Sequence, residues 1–539
     1  MGSVPMPLQQ TRYTRMWRQL GRKLPLFLAL GLSACGGSGL EEGEAGFIEG
    51  FFGGIIVDEP RAALIGRDVL SAGGSAADAA VAAYFTMAVT MPGGASLGGG
   101  GVCLIHEREN SRVEVVEFLT GTPAGGSRDA TVGIPGNVRG MALVHARYGR
   151  LNWADLLIPA ENFARDGHAI SRAFARDLQL AAGTLRGDPE ARRIFGLDSG
   201  EITEGQVVRQ IELAAMLTVI RTRGAGEFYN GSLGRQVAES IQRTGAAMTP
   251  DDLREYRPKL LKPLQMELGN ELIYFPPPPA VGGAIAAQLW AAGDDDDRYA
   301  DGDAGQRAHL LAEVASRAYA QGGGGEAGDI ISANAVAKLV AGHDRSRHQP
   351  AAGNGASIVD YAARGRHDGV SLVAVDVTGD AVACSFTLNR PFGVDKAAPG
   401  TGMLLAAPAS GARAGQPSAV LVANPVNDQV FFGAAISGGS PASLAAVALD
   451  TLTADRDIGA AITRARTYNT GNPDVVIAEP GLAKPVQDFL QKAGYTLQLQ
   501  ENLGRINGFR CPAGLPREPN CQFVAEPRGH GLAVSADEN

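Results

Sequence analysis

The histidines and cysteines are the side chains of this sequence that could most readily bind a metal. The chain of 539 residues contains eight His and five Cys. We expect no metal site built from histidine. The sequence therefore predicts neither a metal nor a cofactor.

Two pairs of cysteines differ in their surroundings. Cys511 and Cys521 lie in CPAGLPREPNC, a Pro- and Gly-rich stretch near the C-terminus. In an oxidising compartment a disulfide there would close a short ring and stabilise the chain by roughly 3 kcal/mol, and the alternative is two free thiols. Cys103 and Cys384 sit in apolar, strand-like runs. We expect these two to be small residues of the core.

The N-terminal segment predicts an export signal. A basic region precedes the apolar stretch 24–32, which is too short to span a bilayer and is typical of a signal peptide. The run LSAC that ends at Cys35 resembles the lipobox of bacterial lipoproteins, which implies cleavage before Cys35 and a lipid on its sulfur. We expect a lipoprotein-type signal peptide over 1–35, a Gly/Glu tether over 36–46, and a lipid-anchored location on the periplasmic or extracellular face of a bacterial cell envelope. A plain secretory signal and a buried N-terminal helix are the alternatives.

Composition excludes several classes of protein. With 48 Lys and Arg against 57 Asp and Glu, the net charge is −9, so the chain lacks the basic surface that nucleic acids require. The 72 Gly and 30 Pro exceed average usage but stay below the level typical of disordered chains. Because 45% of the residues are hydrophobic, the chain can bury a large core. Collagen, coiled-coil and polytopic membrane proteins do not fit this composition.

Patterns along the chain predict helices and buried hairpins packed in layers. Ser75 and an acidic residue three positions later form a capping box before an Ala-rich helix, whose small residues indicate close packing. Hairpins with apolar residues on both faces are predicted over 102–118 and 372–386. The Gly-rich segment 321–355 predicts a mobile connection with one short helix at 333–340. The fold class is α/β (α+β), with helices on both faces of antiparallel sheets.

Eleven short motifs follow one another in order over nearly the whole predicted mature chain. They are GGSAADAAVAA (73–83), GGGG (98–101), VGIPG (132–136), YGRL (148–151), FYNG (228–231), DLREYRP (252–258), PPP (276–278), HLLAE (309–313), RAY (317–319), NRPFG (389–393) and PGTG (399–402). Each motif is weak alone. Together they resemble the γ-glutamyltranspeptidase (glutathione hydrolase) family of N-terminal-nucleophile hydrolases.

The resemblance implies a four-layer αββα sandwich that is made as a precursor. Members of the family cut their own chain just before a Thr, whose freed amine activates its hydroxyl. That Thr attacks a γ-glutamyl amide, and amides of a glycine turn stabilise the oxyanion. The resemblance also divides the chain into a large-subunit-like region 47–321, a mobile linker 322–368 at the processing position and a small-subunit-like region 369–539, all within one αββα domain.

The positions that carry the chemistry of the family have changed. Counting back from Asn389, the nucleophile position is occupied by Gly369, which has no hydroxyl. Ser371 is the nearest hydroxyl and a weak substitute, at the position of a family His. Asn389 and the turn Gly438-Gly439 remain as candidate substrate-binding or oxyanion groups, and a purely structural role for them stays open.

The groups that hold the glutamyl headgroup are also replaced. By resemblance, the substrate-binding Arg falls at Leu119, the Gln and Asp fall near Pro408 and Gly411, and two supporting Ser fall near 413–414. Loss of a bidentate Arg and of its opposing carboxylate leaves a zwitterionic headgroup without partners. We therefore expect glutathione to bind poorly.

Three functions fit these changes. The favoured one is a catalytically impaired or inactive envelope homologue that stays a single chain and binds an altered γ-glutamyl-like ligand or an envelope protein partner, with membrane contact only through its lipid. The alternative is an active, divergent γ-glutamyltransferase or glutathione hydrolase that cleaves γ-glutamyl amides through a substitute such as Ser371. A third is a structural envelope protein that uses the fold as a scaffold.

Overall fold

A computed structural model describes most of the chain beyond the predicted signal and tether. The described residues are 53–124, 131–198, 200, 202–322, 326–350, 369–409, 416–517 and 520–536. The predicted signal peptide 1–35 with Cys35, the tether 36–46 and the linker residues 323–325 and 351–368 lie outside them.

The strands are short to medium in length and are numbered along the chain. They are β1 Gly53–Val57, β2 Gly100–Glu107, β3 Arg112–Glu117, β4 His168–Ala169, β5 Val207–Val208, β6 Lys259–Leu261, β7 Leu264–Leu268, β8 Glu271–Phe275, β9 Gly369–Asp376, β10 Ala381–Thr387, β11 Ala397–Ala398, β12 Met403–Leu404, β13 Ser418–Ala423, β14 Val430–Ser437, β15 Thr467–Asn469, β16 Val476–Ala478, β17 Leu497–Leu499, β18 Arg505–Leu515, β19 Gln522–Val524 and β20 Leu532–Ser535.

The helices are numbered in the same way. They are α1 Pro60–Ser71, α2 Ala76–Thr90, α3 Pro92–Ala95, α4 Asn137–Tyr148, α5 Trp153–Asp166, α6 Arg172–Leu185, α7 Pro189–Phe195, α8 Ile211–Arg223, α9 Gly226–Asn230, α10 Ser232–Gln242, α11 Pro250–Glu255, α12 Val281–Asp294, α13 Ala304–Gln321, α14 Ala327–Ile330, α15 Ala333–Val340, α16 Pro441–Leu452, α17 Ile458–Thr463 and α18 Lys484–Ala493.

Two antiparallel sheets form the centre of the fold. The first has the strand order β20-β1-β9-β10-β2-β3-β6, and the second has the order β19-β18-β14-β13-β8-β7. Strands from the beginning and the end of the chain alternate in the first sheet, since β9 pairs with β1 on one side and β10 pairs with β2. The predicted buried hairpins correspond to β2–β3 and β9–β10.

Alternation of side chains along the strands separates the layers. In β9, Leu372 packs with the helices that cover the first sheet, whereas Val373 points into the space between the sheets. From the second sheet, Leu421 and Phe509 join that inter-sheet core. Val420, one residue before Leu421, packs with the helices on the outer face of the second sheet. These layers confirm the predicted αββα sandwich.

Helix α2 is buried along its whole length, as its small residues predict. All fifteen residues from Ala76 to Thr90 are buried. The predicted capping box is present, because the Ser75 hydroxyl accepts from the Asp78 amide and the Asp78 carboxylate accepts from the Ser75 amide. The same Asp78 carboxylate accepts the amides of Arg150 and Leu151, which follow α4. One side chain therefore caps α2 and fixes the loop beside it.

The expectation that Cys103 and Cys384 are simply small core residues is wrong. Both are buried, but they stand directly opposite each other on β2 and β10 and form a disulfide. The bond joins positions 281 residues apart, a pairing that no local pattern indicates. A second disulfide joins Cys511 and Cys521.

The described part of the segment after α13 is packed against the fold. Helix α15 occupies the predicted range Ala333–Val340. Beyond it, the His348 ring lies 2.5 Å from the Glu313 carboxylate and 2.9 Å from that of Asp474. The expectation of a mobile connection did not foresee this docking, because Glu313 and Asp474 come from distant parts of the chain.

Among the described residues, no helix is both long and apolar enough to cross a membrane.

The disulfide between β2 and β10 yields a stability prediction. Closing a loop of 281 residues restricts the unfolded chain far more than closing the 10-residue loop of Cys511–Cys521. We expect Cys103→Ala/Cys384→Ala to lower the free energy of unfolding by about 2–5 kcal/mol in urea denaturation. The matched control is Cys511→Ala/Cys521→Ala, and an equal or larger loss in the control would contradict the prediction.

Candidate active site

A narrow crevice opens between the two sheets at one end of the sandwich. Gly369, the first residue of β9, lies in its wall with Thr387 of β10, while Gly438 and Gly439 come from the end of β14. The enclosed volume is about 10 Å³, roughly enough for one water molecule. The structure thus brings three of the sequence-predicted site residues together.

The Gly438-Gly439 turn has a backbone reason to be glycine. Both residues have positive φ, 62° and 73°. A side chain on Gly439 would also lie 2.6 Å from the Cα of Gly504. The turn leads into α16, and the Ser440 hydroxyl caps that helix by accepting the Ala442 amide. The turn therefore has a structural role whether or not its amides meet an anion.

Gly369 is packed too closely to carry a side chain. It pairs with Thr387 at the start of β9. A Cβ added there would approach the carbonyl oxygen of Phe386 to under 3.0 Å. On the other side, a Cβ on Gly94 of α3 would lie 2.6 Å from the carbonyl carbon of Gly369. The position that the resemblance assigns to the nucleophile offers neither a hydroxyl nor room for one in this arrangement.

Ser371 is locked in a hydrogen-bond network away from the crevice wall. It is fully buried, its amide donates to Asp58 Oδ2 at 2.8 Å, and its hydroxyl accepts from Asn507 Nδ2 at 3.0 Å. Ser437 also donates to Asp58 Oδ2, at 2.6 Å. Burial raises the pKa of Asp58, against the lowering effects of Arg505 and of these hydrogen bonds. The network orders Ser371 but gives a substrate no path to its oxygen.

Asn389 joins three backbone segments behind the crevice. It is buried with φ of 61°, and its amide donates to Thr387 Oγ1 at 2.8 Å. Its side-chain nitrogen donates to Thr120 Oγ1 at 2.8 Å and to the Ala407 carbonyl at 2.7 Å. Its Oδ1 is buried without a hydrogen-bond partner among the described residues. Asn389 therefore holds the loop after β10 against the ends of β3 and β12.

The described headgroup positions carry no cation for a substrate carboxylate. Leu119 is half-buried, and its backbone is held by Glu117 at 2.8 Å and by the Tyr256 hydroxyl at 2.8 Å. Glu117 in turn lies 3.3 Å from Lys259 Nζ. Pro408 is half-buried, and Gly411 with 413–414 lies outside the described residues.

Sequence reasoning missed the buried network around Asp58. Asp58 follows the apolar strand β1, but its partners Ser371, Ser437 and Asn507 are 313 to 449 residues away. No periodicity could pair them. For the ranges that the structure covers, no group of three or more His, Cys, Asp or Glu side chains forms a metal site.

The architecture is that of the N-terminal-nucleophile hydrolases. Its similarity to the crystal structure of cephalosporin acylase from Bacillus halodurans has a TM-score of 0.77 and covers 94% of this chain and 99% of the acylase, at 19% sequence identity. At that identity the likeness shows the fold alone.

Sequence comparison assigns the chain to one family within this class. The family profile described as Gamma-glutamyltranspeptidase matches residues 62–418, well over half of the chain. The chain belongs to the γ-glutamyltranspeptidase family.

Individual relatives match parts of the chain. The glutathione hydrolase proenzyme of Escherichia coli is 28% identical over 379 residues, which cover 64% of this chain and 64% of that protein. Glutathione hydrolase 3 of Arabidopsis thaliana is 29% identical over 234 residues, which cover 41% of this chain and 37% of the plant protein. The chain therefore spans between about a third and two thirds of the length of these relatives.

The close packing around Gly369 predicts that a side chain there would destabilise the fold. We expect Gly369→Ala to lower the free energy of unfolding by about 1–3 kcal/mol, because its Cβ overlaps the Phe386 carbonyl. The matched control is Gly183→Ala in α6, where an added Cβ meets nothing within 4 Å. That change should stabilise by about 0.5–1 kcal/mol. Urea denaturation of both variants measures the pair, and a neutral Gly369→Ala would show that the strand has room for a side chain.

Proposed function

We propose that this chain is a γ-glutamyltranspeptidase-family protein that remains a single chain and has lost γ-glutamyl transfer. The observation that carries the proposal is Gly369 at the nucleophile position. Glycine supplies no hydroxyl to attack an amide, whether in the substrate or in its own chain. In this role the protein binds an altered γ-glutamyl-like small molecule or an envelope protein partner.

The groups that surround the nucleophile position cannot replace a missing nucleophile. Removal of a serine-hydrolase nucleophile lowers kcat by about 10⁶ and leaves only the contribution of binding and of the oxyanion site. The turn Gly438-Gly439 could still offer backbone amides to an anion. Those amides need no nucleophile to contact an anion, and the crevice of about 10 Å³ would have to widen to admit a ligand larger than water.

Loss of the headgroup partner supports the same proposal. A bidentate Arg–carboxylate pair provides both energy and orientation. Leu119, which the resemblance sets in place of that Arg, offers an apolar side chain instead. A γ-glutamyl compound would leave its α-carboxylate unpaired at this position, at a cost of several kcal/mol if it were buried.

Ser371 supports catalysis poorly. Its hydroxyl is enclosed, and its partners are a carboxylate shared with Ser437 and a side-chain amide. A nucleophilic hydroxyl needs a general base that accepts its proton, and it must also face the substrate. Ser371 is fully buried and therefore cannot face a substrate.

Chain integrity and activity test the proposal together. We expect the purified protein to run as one chain on a reducing gel and to release no p-nitroaniline from L-γ-glutamyl-p-nitroanilide above the spontaneous rate. The gel must be reducing, because the Cys103–Cys384 disulfide would hold two fragments together after a cut just before Gly369.

The controls distinguish an inactive single chain from an active, divergent enzyme. The Escherichia coli glutathione hydrolase proenzyme serves as the positive control for the assay. Two chains, the smaller beginning near Gly369, would overturn the single-chain proposal. Release of p-nitroaniline that Ser371→Ala abolishes would establish the divergent enzyme instead.

We also propose that the protein is a lipoprotein of the cell envelope, on the strength of the run that ends at Cys35. The wild-type protein should sediment with the membranes of the bacterium that makes it and carry the mass of a lipid on its N-terminal Cys. We expect Cys35→Ala to lose both properties, whereas Ser38→Ala in the predicted tether should keep them. Equal membrane fractions for wild type and Cys35→Ala would contradict the anchor.

A further inference from the structure

A second and larger cavity lies in the helical layer outside the second sheet. Its volume is about 410 Å³, within the range of small-molecule pockets. Helices α13, α16 and α18 and the segment 464–467 enclose it. It shares no lining residue with the crevice at Gly369.

The walls of this cavity are mostly apolar. Leu311 of α13, Val447 of α16 and Val486 of α18 contribute branched aliphatic side chains, and alanines fill much of the remaining wall. Leu311, Val447 and Val486 are each at most 8% exposed, so the wall is fixed by packing in the core. Such a surface favours an apolar ligand body.

Three arginines line the same cavity, and they differ in how well they are paired. Arg464 makes two contacts with the carboxylate of Asp450, at 3.1 and 2.6 Å. Arg466 is buried and pairs with Glu526. Arg456 reaches Asp450 only through Nε at 3.7 Å, beyond hydrogen-bond distance, and its side chain is 42% exposed.

The carboxylates around this cavity do not balance the arginines. Asp450 is shared by Arg456 and Arg464. Glu526 is shared by Arg466 and Arg528, and Arg528 also pairs with Glu479. The Asp450 set therefore contains two guanidinium groups and one carboxylate, whereas the set of Arg466 and Arg528 with Glu526 and Glu479 contains two of each.

Two acidic residues beside Arg456 in the sequence are engaged elsewhere. Asp455 pairs with Arg510 at 3.3 Å, and Asp457 caps α17 by accepting the Ala460 amide. The uncompensated positive charge consequently falls at Arg456, the most exposed guanidinium of the cavity wall.

We propose that this cavity binds a small molecule with an apolar body and a single carboxylate, of the fatty-acid type. Arg456, with Arg464 beside it, receives the carboxylate in the planar geometry that guanidinium groups favour. The aliphatic walls from α13, α16 and α18 pack against the alkyl chain of the ligand. The carboxylate would complete the charge balance that the protein leaves open.

Isothermal titration calorimetry of the full chain with decanoate tests this site. We expect saturable binding of decanoate, at least about tenfold weaker binding of 1-decanol, and no measurable binding of acetate. Arg456→Gln should weaken decanoate binding about tenfold and leave decanol binding unchanged. Arg172→Gln, at an arginine that is 67% exposed and pairs with Glu204, is the matched control and should bind decanoate like the wild type.

A second variant tests the part of the cavity that would hold the alkyl chain of the ligand. Ala446→Phe in α16 adds bulk to the wall and should abolish binding of both decanoate and decanol, while thermal unfolding reports whether it is folded. Equal affinity for decanoate and decanol, or an unchanged decanoate affinity in Arg456→Gln, would overturn the proposal. So would acetate binding as tight as that of decanoate, which would indicate an anion site without a ligand body.

Discussion

The arrangement of the two sheets around the crevice depends on the hydrogen bonds of the buried Asp58 carboxylate. Asp58 follows β1 of the first sheet and accepts from Ser371 of β9, and across the inter-sheet space from Ser437 of β14 and Asn507 of β18. A buried carboxyl group depends on such partners, since loss of one hydrogen-bond donor costs about 1–3 kcal/mol. Ser371 lies two residues after Gly369, and Ser437 comes directly before Gly438. The network therefore sets the spacing of the strands that form the crevice, independently of any catalytic group.

This independence explains how the family fold can persist with glycine at position 369. The layers are held by apolar alternation along β9, β13 and β14, by the fully buried helix α2 and by the Asp58 network. None of these needs a hydroxyl at position 369. Glycine there allows closer contact with the Phe386 carbonyl than any other residue would. Glycine at position 369 therefore leaves the scaffold intact.

Strands from the regions before and after position 369 are interleaved in one sheet, so the two regions would stay together after a cut at that position. In the first sheet β1 from the early half lies between β9 and β20 from the late half, and β10 lies between β9 and β2. The disulfide between Cys103 and Cys384 adds a covalent link across that boundary. The docking of His348 on Glu313 in the middle of α13 and on Asp474 continues this pattern in the helical layer. The proposed carboxylate cavity lies in that same region of the helical layer, separate from the crevice.

The sequence by itself determined the features that depend on neighbours in the chain. The capping box at Ser75, helix α15 at its predicted bounds, the hairpins β2–β3 and β9–β10 and the layered fold class all follow from local periodicity and turn residues. The family motifs located Gly369 and the Gly438-Gly439 turn, which the structure brings to one crevice. Only the tertiary structure decided that Cys103 bonds Cys384, that Asp58 holds Ser371 and Ser437, and that Arg456 shares one carboxylate with Arg464. The cysteine and Asp58 partners lie hundreds of residues apart, and the Asp450 contacts depend on how the segment after α16 folds back on that helix. No periodicity along the chain encodes either kind of contact.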